Sequence, residues 1–238
     1  GSGRMLIGKD ARRPVPIAST TKVMSAIVFL ESKPNLDERV TVDSEAANQI
    51  GSIMGIGAGE QISLRSLLEG SLLVSGNDAI YAIAQHSGGV PTFVERMNQK
   101  AHELGLVDTT LYDPAGLEDR GVSSAVDLAL MFRYALTFDE FRRIMLLPEA
   151  TVMSSTDQYR LTNSNRLVRG DAPLYFPDTL GGKTGFTPDA GHCLVSAAER
   201  DGHVLIAAVL ASDDTATDGS AREARRLLEW TFEHTTWK

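Results

Sequence analysis

The spacing of apolar residues changes twice along the chain. From Ser19 or Thr20, apolar side chains recur every three or four residues, which is the period of a helix with one buried face. Helical spacing then dominates from about Ser44 to Ala150. After Thr151 the pattern is typical of strands, and one last amphipathic helix closes the chain. The pattern therefore predicts an α-rich block between strand-forming segments.

Local residues predict where several of these helices begin and end. Ser63, and either Asn77 or Asp78, can cap a helix N-terminus with a side-chain oxygen. Gly105 is a typical stop after a helix from Pro91 to Leu104. Two pairs with the spacing of capping boxes predict further helix starts: Ser124 with Asp127, and Thr137 with Glu140.

Strand-like segments lie near both ends of the chain. A first strand is predicted from Arg4 to Asp10, before Pro14 and Pro16, since neither proline fits a helix interior. Four further strands are predicted, at Tyr159 to Thr162, Leu180 to Thr187, His192 to Ala198 and His203 to Leu210. Asp201-Gly202 predicts a tight turn between the last two strands, and Ser220 to Phe232 predicts a helix.

This order of elements predicts an α/β fold of the α+β type, in one domain over residues 1–238. We expect an antiparallel sheet lobe with flanking helices, built from both ends of the chain, at about residues 1–43 and 151–238. An all-helical lobe, about residues 44–150, is inserted between them. The cleft between two such lobes is a common ligand site.

Composition and charge exclude several functional classes. Of 238 residues, 42% are hydrophobic, and 23 Lys and Arg stand against 31 Asp and Glu, a net charge of −8. An acidic chain without a basic tract argues against nucleic acid as a partner. The longest apolar runs, such as Val204 to Leu210, are far shorter than the roughly 20 residues of a membrane-spanning helix. The single Cys193 excludes an internal disulfide or a Cys-rich metal site, and we expect a buried, inert thiol.

Ser19-Thr20-Thr21-Lys22 is the first of three short motifs that can carry chemistry. If a helix begins here, Ser19 and Lys22 lie on one face, one turn apart, at the positive end of the helix dipole. A lysine activates a serine only if burial or nearby positive charge lowers its pKa. The alternative is a capped helix with a surface lysine.

The second motif is Ser75-Gly76-Asn77, between two predicted helices. A hydroxyl and a carboxamide at such a turn can relay a proton and hydrogen-bond a substrate amide. The alternative is a glycine stop followed by an asparagine cap.

The third motif is Lys183-Thr184-Gly185, in a strand-like stretch. A lysine, a threonine and a glycine that admits a ligand close to the backbone suit an anionic substrate docked along a strand edge. A phosphate-binding loop also ends in Gly-Lys-Thr, but it requires glycine at position 177, where this chain has Pro177.

In this order, Ser-x-x-Lys, Ser-x-Asn and Lys-Thr-Gly form the motif set of penicillin-binding proteins and class A β-lactamases. The surrounding residues resemble the low-molecular-mass penicillin-binding proteins, the D-alanyl-D-alanine carboxypeptidase and endopeptidase family. The resemblance covers essentially the whole chain, and the segments that carry it are Pro16 to Lys22, Val74 to Ala79, Lys183 to Thr187 and Ala190 to Val195. It implies a β-lactamase/transpeptidase-like fold.

The resemblance also implies a role for each motif residue. Ser19 attacks a D-Ala-D-Ala carbonyl and forms an acyl-enzyme, Lys22 is the general base, and Ser75 passes a proton to the leaving amine. The implied substrate-binding groups are Asn77 for the peptide amide, Lys183 for positive potential, Thr184 for the terminal carboxylate, Gly185 beside it, and the N–H groups of Ser19 and Phe186 as the oxyanion hole.

The implied function is a serine D-alanyl-D-alanine carboxypeptidase that acts on peptidoglycan stem peptides and binds penicillin covalently. No metal or cofactor is implied, and His86, His102, His192, His203 and His234 form no metal or triad pattern. Gly1 to Arg4 leads directly into Met5-Leu6-Ile7 without a signal peptide. Because the substrate lies outside the cytoplasmic membrane, we expect a trimmed extracytoplasmic protein. The short start at Gly1 suggests an incomplete first strand, and the end at Lys238, just after the last predicted helix, suggests that there is no C-terminal β domain.

Several alternatives remain open. Some carboxypeptidases of the family carry an arginine in an Asn-Arg-Asn stretch that binds the substrate carboxylate, whereas this chain reads Asn163-Ser164-Asn165 with Arg166 next. That difference favours a D,D-endopeptidase that cleaves cross-links, while Gly76 favours the carboxypeptidase, which ranks first. The chain has no Glu-x-x-Leu-Asn loop, so we expect slow release of penicillin rather than β-lactamase activity. A transpeptidase, or a β-lactam or cell-wall-peptide sensor without turnover, is also compatible with the motifs.

Overall fold

Helices occur between residues 22 and 145 and again near the end of the chain. The computed structural model describes residues 3–212 and 218–237. Within these ranges the helices are α1 Lys22–Glu31, α2 Ser44–Ala47, α3 Leu64–Leu73, α4 Asn77–His86, α5 Val90–Glu103, α6 Ala125–Ala135, α7 Asp139–Met145 and α8 Gly219–His234. Two 3₁₀ turns, Ala18–Thr21 and Arg166–Val168, complete the helical elements.

The strands form one three-stranded sheet and three short ladders. The strands are β1 Val15–Pro16, β2 Arg39–Thr41, β3 Gln61–Ser63, β4 Val122–Ser123, β5 Glu149–Met153, β6 Gln158–Thr162, β7 Thr179–Thr187, β8 Gly191–Arg200 and β9 His203–Ser212. All pairings are antiparallel: β1 with β4, β2 with β3, β5 with β6, and a sheet of order β7-β8-β9. Asp201 and Gly202 turn β8 into β9 with φ of 52° and 77°, as a two-residue turn of this kind requires.

Helix α1 lies at the centre of the main hydrophobic core. Every residue from Lys22 to Leu30 is buried, which is expected when a helix is surrounded by other elements. The sheet separates this core from a second, smaller one because side chains alternate along β8. Val195 and Ala197 face the main core, and Leu194 and Ala198 pack with α8. The Ser-x-x-Lys motif therefore begins the most buried helix.

The predicted first strand is wrong. Residues 4–10 form neither helix nor strand, and Met5, Leu6 and Ile7 are exposed by 61%, 41% and 47%. An apolar run becomes a strand only when a neighbouring strand pairs with it, and no strand within residues 3–212 and 218–237 pairs with this segment. The three-stranded sheet thus draws its strands from residues 179–212 alone. Gly1 and Ser2 lie outside the described residues, and the division into two lobes stays a prediction.

Two of the predicted N-terminal caps are also wrong. Helix α4 follows Gly76 without a side-chain cap, so neither Asn77 nor Asp78 caps it. Helix α7 follows Phe138 without a side-chain cap, because Thr137 donates to the carbonyl of Tyr134 instead. The caps at Ser63 and Ser124 are confirmed, since both side chains accept hydrogen bonds from the first turns of α3 and α6. The predicted stop is confirmed as well, because Gly105 follows α5. However, the Asp127 carboxylate accepts from the amide nitrogen of Asp108, so no reciprocal capping box forms.

None of the helices in residues 3–212 and 218–237 combines the length and the apolar character needed to cross a membrane.

Candidate active site

Ser19 and Lys22 form a hydrogen-bonded pair at the start of α1. Ser19 lies in the 3₁₀ turn Ala18–Thr21 and is partly exposed, whereas Lys22 is completely buried. Lys22 Nζ lies 3.0 Å from Ser19 Oγ, as the three-residue spacing predicts. Ala18 has a left-handed φ of 46°, a conformation that costs a non-glycine residue about 1–3 kcal/mol. The turn that presents the serine is thus strained.

Two further acceptors surround the amino group of Lys22. Nζ lies 2.7 Å from Asn77 Oδ1 and 2.9 Å from the carbonyl oxygen of Ala115. Burial, and then the charge of Lys183, hold the pKa of Lys22 well below its usual range, against Asp113 and Asp78, which raise it. A neutral amine has two N–H groups and one lone pair. When Lys22 is neutral and donates its two hydrogens to Asn77 and Ala115, its lone pair is left to accept from the Ser19 hydroxyl.

Ser75 and Lys183 form a second serine–lysine pair. Ser75 lies between α3 and α4, is 6% exposed and has a left-handed φ of 63°. Lys183, on β7, is completely buried, and its Nζ lies 2.9 Å from Ser75 Oγ and 2.9 Å from the carbonyl of Thr184. Burial lowers the pKa of Lys183 to about 7. Both protonation states of Lys183 are therefore accessible near neutral pH, beside the Ser75 hydroxyl.

Asn77 connects Lys22 to the loop that precedes α3. Its Nδ2 donates to the carbonyl of Ile50 at 2.6 Å, and its Oδ1 accepts from Lys22. One amide hydrogen and one lone pair of the carboxamide remain for a ligand. The sequence predicts that Asn77 contacts a ligand, but it does not reveal the hydrogen bond from Lys22 to Asn77, 55 positions away.

Two residues that follow Lys183 on β7, Thr184 and Phe186, have exposed side-chain surface. Thr184 is partly exposed, and its Oγ1 lies 2.7 Å from Ser164 Oγ. Phe186 is 57% exposed and stacks on His192, with ring centroids 4.5 Å apart. A hydroxyl pair and an apolar ring are therefore presented to a ligand at this edge.

The structure shows a steric requirement for glycine at position 185 that the sequence analysis did not infer. A Cβ at this position would lie 2.9 Å from the carbonyl oxygen of Ile17 and 3.1 Å from the amide nitrogens of Ser19 and Thr20. The absence of a side chain at Gly185 lets β7 pack against the turn that holds Ser19, in addition to any space that it leaves for a ligand. These contacts bring the Lys-Thr-Gly strand and the Ser-x-x-Lys turn together.

Two buried carboxylates, whose roles the sequence analysis did not predict, organise the loops around these residues. Asp78 accepts from the amide nitrogens of Met54, Gly55, Ile56 and Ala79. Asp113 accepts from those of Ala115, Gly116, Leu117 and Glu118. The turn-forming sequence Asp113 to Gly116 signals the second loop, whereas nothing near Asp78 in the sequence signals the first.

Cys193 takes no part in the site. It is 1% exposed, and burial raises the pKa of its thiol to about 11. The prediction of a buried thiol is confirmed, and its inertness stays a prediction.

Comparison with known proteins gives consistent matches. A model of the Peptidase_S11 family, D-alanyl-D-alanine carboxypeptidase, matches residues 1–214. The D-alanyl-D-alanine carboxypeptidase DacF of Bacillus subtilis is 32% identical over 97% of this chain, which spans 59% of that protein. The D-alanyl-D-alanine endopeptidase of Pseudomonas aeruginosa is 37% identical over 82% of the chain and 63% of its own length. Among solved structures, the Streptomyces K15 DD-transpeptidase superposes with a TM-score of 0.89 at 29% identity, covering 98% of this chain and 93% of that one.

Proposed function

The chain belongs to the Peptidase_S11 family of D-alanyl-D-alanine carboxypeptidases, and we propose that it hydrolyses the D-Ala-D-Ala bond of peptidoglycan stem peptides through an acyl-enzyme on Ser19. One observation carries this proposal. The amino group of Lys22 is buried, lies 3.0 Å from Ser19 Oγ and is held by two other acceptors. Such a group serves as the base that makes a serine hydroxyl nucleophilic.

Acylation begins with transfer of the Ser19 proton to neutral Lys22. Ser19 Oγ bonds to the carbonyl carbon, and the N–H groups of Ser19 and Phe186 stabilise the oxyanion. When the C–N bond breaks, Ser75 donates a proton to the leaving amine of D-alanine and regains one from Lys183, 2.9 Å away. Water then attacks the ester carbon. Lys22 returns its proton to Ser19 Oγ as the C–O bond breaks and the shortened peptide leaves, and the proton that water gives up restores Lys183.

Substrate binding uses the groups on either side of Ser19. The free lone pair and amide hydrogen of Asn77 hold the peptide amide, and Thr184 binds the terminal carboxylate. Lys183 adds positive potential when it is protonated. Gly185 and Phe186 bring β7 beside the reacting carbonyl.

A D,D-endopeptidase is the second candidate, and one contact favours it. The group beside Thr184 is the neutral hydroxyl of Ser164, and Arg166 lies near Asp218 instead, at 3.7 Å. A hydroxyl pair can donate to a carboxylate and can equally accept from an amide, so it does not require a free C-terminus. The same site would then cleave a cross-link in which D-alanine is amide-bonded.

The family also suggests where the protein acts and what inhibits it. Peptidoglycan lies outside the cytoplasmic membrane, so we place the activity outside the cytoplasm, in the periplasm or at the cell wall. Penicillin acylates Ser19 and is released slowly, because the chain has no Glu-x-x-Leu-Asn loop to supply a deacylating carboxylate.

Parallel incubation with a D-Ala-D-Ala-terminated peptide and a cross-linked muropeptide tests the proposal. We expect release of free D-alanine from the first, and Ser19→Ala should abolish it. Ser32→Ala is the matched control, because Ser32 is exposed at the far end of α1 and its hydroxyl donates to the carbonyl of Phe29 on the same helix. Cleavage of the muropeptide alone would support the endopeptidase. Product joined to an added amine would indicate a transpeptidase, and binding without cleavage of either substrate would contradict both hydrolases.

A further inference from the structure

Asp113 closes the turn that supplies one of the acceptors of Lys22. It is 4% exposed. Its Oδ1 accepts from the amide nitrogens of Ala115, Gly116 and Leu117 at 2.6, 2.7 and 3.2 Å, and its Oδ2 accepts from that of Glu118 at 2.7 Å. An amide has only one acceptor oxygen, so an asparagine at this position could not satisfy all four donors.

The same turn is pressed against the start of α1. Ser25 Oγ donates to the carbonyl of Pro114 at 2.7 Å. A Cβ on Gly116, whose φ is 77°, would lie 1.9 Å from the carbonyl oxygen of Ala18, next to Ser19. The turn therefore has little freedom to shift, and the Ala115 carbonyl is held 2.9 Å from Lys22 Nζ.

We propose that Asp113 is a positioning residue for the general base: by holding the amide nitrogens of residues 115–118, it fixes the Ala115 carbonyl on Lys22 and keeps a carboxylate buried beside the turn that contacts that lysine. This inference rests on the proposed function of Lys22. It assigns Asp113 no contact with substrate, since both of its oxygens are occupied by backbone donors.

Charged groups face Lys22 from three packed elements. Lys183 on β7 lowers the pKa of Lys22, while Asp113 on the turn and Asp78 on α4 raise it. Asp78 binds a separate set of amides at residues 54–56 and 79. Removing the charge of Asp113 should therefore lower the pKa of Lys22 further, without dismantling the Asp78 loop.

The test is the pH dependence of the rate constant for acylation by benzylpenicillin, measured for Asp113→Asn. Because acylation requires neutral Lys22, the rate falls on the acid side of the profile. We expect that acid limb to move to lower pH by about half a unit or more. The maximal rate should fall about tenfold or more, because the amide cannot hold all four N–H groups and the Ala115 carbonyl shifts. An acid limb that stays where it is in a folded variant would overturn the inference.

Glu118→Gln is the matched control, since it removes one charge from the same turn. The Glu118 side chain is exposed and pairs with Arg120, so its profile should match that of the wild type. Asp113→Glu keeps the negative charge but moves the carboxylate away from the four amide nitrogens. It should therefore slow acylation without moving the acid limb of the pH profile. A shift of equal size in Glu118→Gln, or in Asp113→Glu, would also contradict the assignment.

Ser25→Ala keeps the proposal testable if Asp113→Asn does not fold. It removes the bond to Pro114 but no charge, so acylation should slow several-fold with an unmoved acid limb; an unchanged rate would count against the role of the turn. Failure of the wild-type protein to react with penicillin would refute the proposed function itself. Equal profiles in a reactive wild type and the Asp113 variant would refute only the inference.

Discussion

Replacement of Gly185 by alanine probes the contact between β7 and the turn that carries Ser19. The new Cβ would lie 2.9 Å from the carbonyl oxygen of Ile17 and 3.1 Å from the amide nitrogens of Ser19 and Thr20. All three atoms belong to the backbone, so no flexible side chain can move aside. The turn and the strand must separate by a few tenths of an ångström.

The expected effect on chemistry is larger than the effect on stability. Overpacking of this kind destabilises a fold by about 1–3 kcal/mol. The displaced Ser19 amide, however, is one of the two proposed oxyanion donors. Loss of one such donor typically lowers the rate about 10² to 10³-fold, or about 3–4 kcal/mol. We expect Gly185→Ala to fold, with a modestly lower Tm, and to acylate about 10²-fold more slowly.

The assay combines stopped-flow acylation by a fluorescent penicillin with thermal denaturation. Gly170→Ala is the control, because no atom lies within 4 Å of the Cβ it would add, and both its rate and its Tm should stay near the wild-type values. Acylation of Gly185→Ala at the wild-type rate would refute the reasoning. A rate loss fully explained by an unfolded fraction would refute it as well.

Three further predictions follow from the buried groups. Lys22→Met should slow acylation about 10² to 10⁴-fold while the circular dichroism spectrum is retained, and wild-type labelling of this variant at neutral pH would contradict its role as base. Burial lowers the pKa of Lys183 to about 7, so between about pH 7 and 10.4 the unfolded chain binds more protons than the folded one and the free energy of unfolding rises with pH. Urea titrations should show this rise, on the order of 4 kcal/mol, in the wild type but not in Lys183→Met. An equal rise in both proteins would contradict the prediction. Gly116→Ala should destabilise the fold by about 3 kcal/mol or more, since its φ is 77° and its Cβ would meet the Ala18 carbonyl at 1.9 Å; an unchanged Tm would refute that steric argument.

Local patterns predict much of the secondary structure. The Ser63 and Ser124 caps, the Asp201-Gly202 hairpin and the last helix depend on neighbours a few positions away, and each is confirmed. The strand at residues 4–10 failed because a strand needs a partner, which its own sequence does not supply.

The active site is predictable only in part for the same reason. Ser19 and Lys22 are three positions apart, so helical geometry alone predicts their contact. The pairs Lys22–Asn77 and Lys183–Ser75 span 55 and 108 positions, and only the resemblance to a known family brings them together in advance. Asp78 and Asp113 bind backbone amides within folded loops, a role that no residue pattern around Asp78 reveals.

Mass spectrometry of the intact protein after incubation with benzylpenicillin tests the central claim most directly. The proposed acyl-enzyme predicts that the wild-type chain gains the mass of one penicillin and that Ser19→Ala gains none. Equal labelling of Ser19→Ala would show that another residue is the nucleophile. Rapid turnover of benzylpenicillin with Ser19 unmodified at the end would contradict the expected slow release.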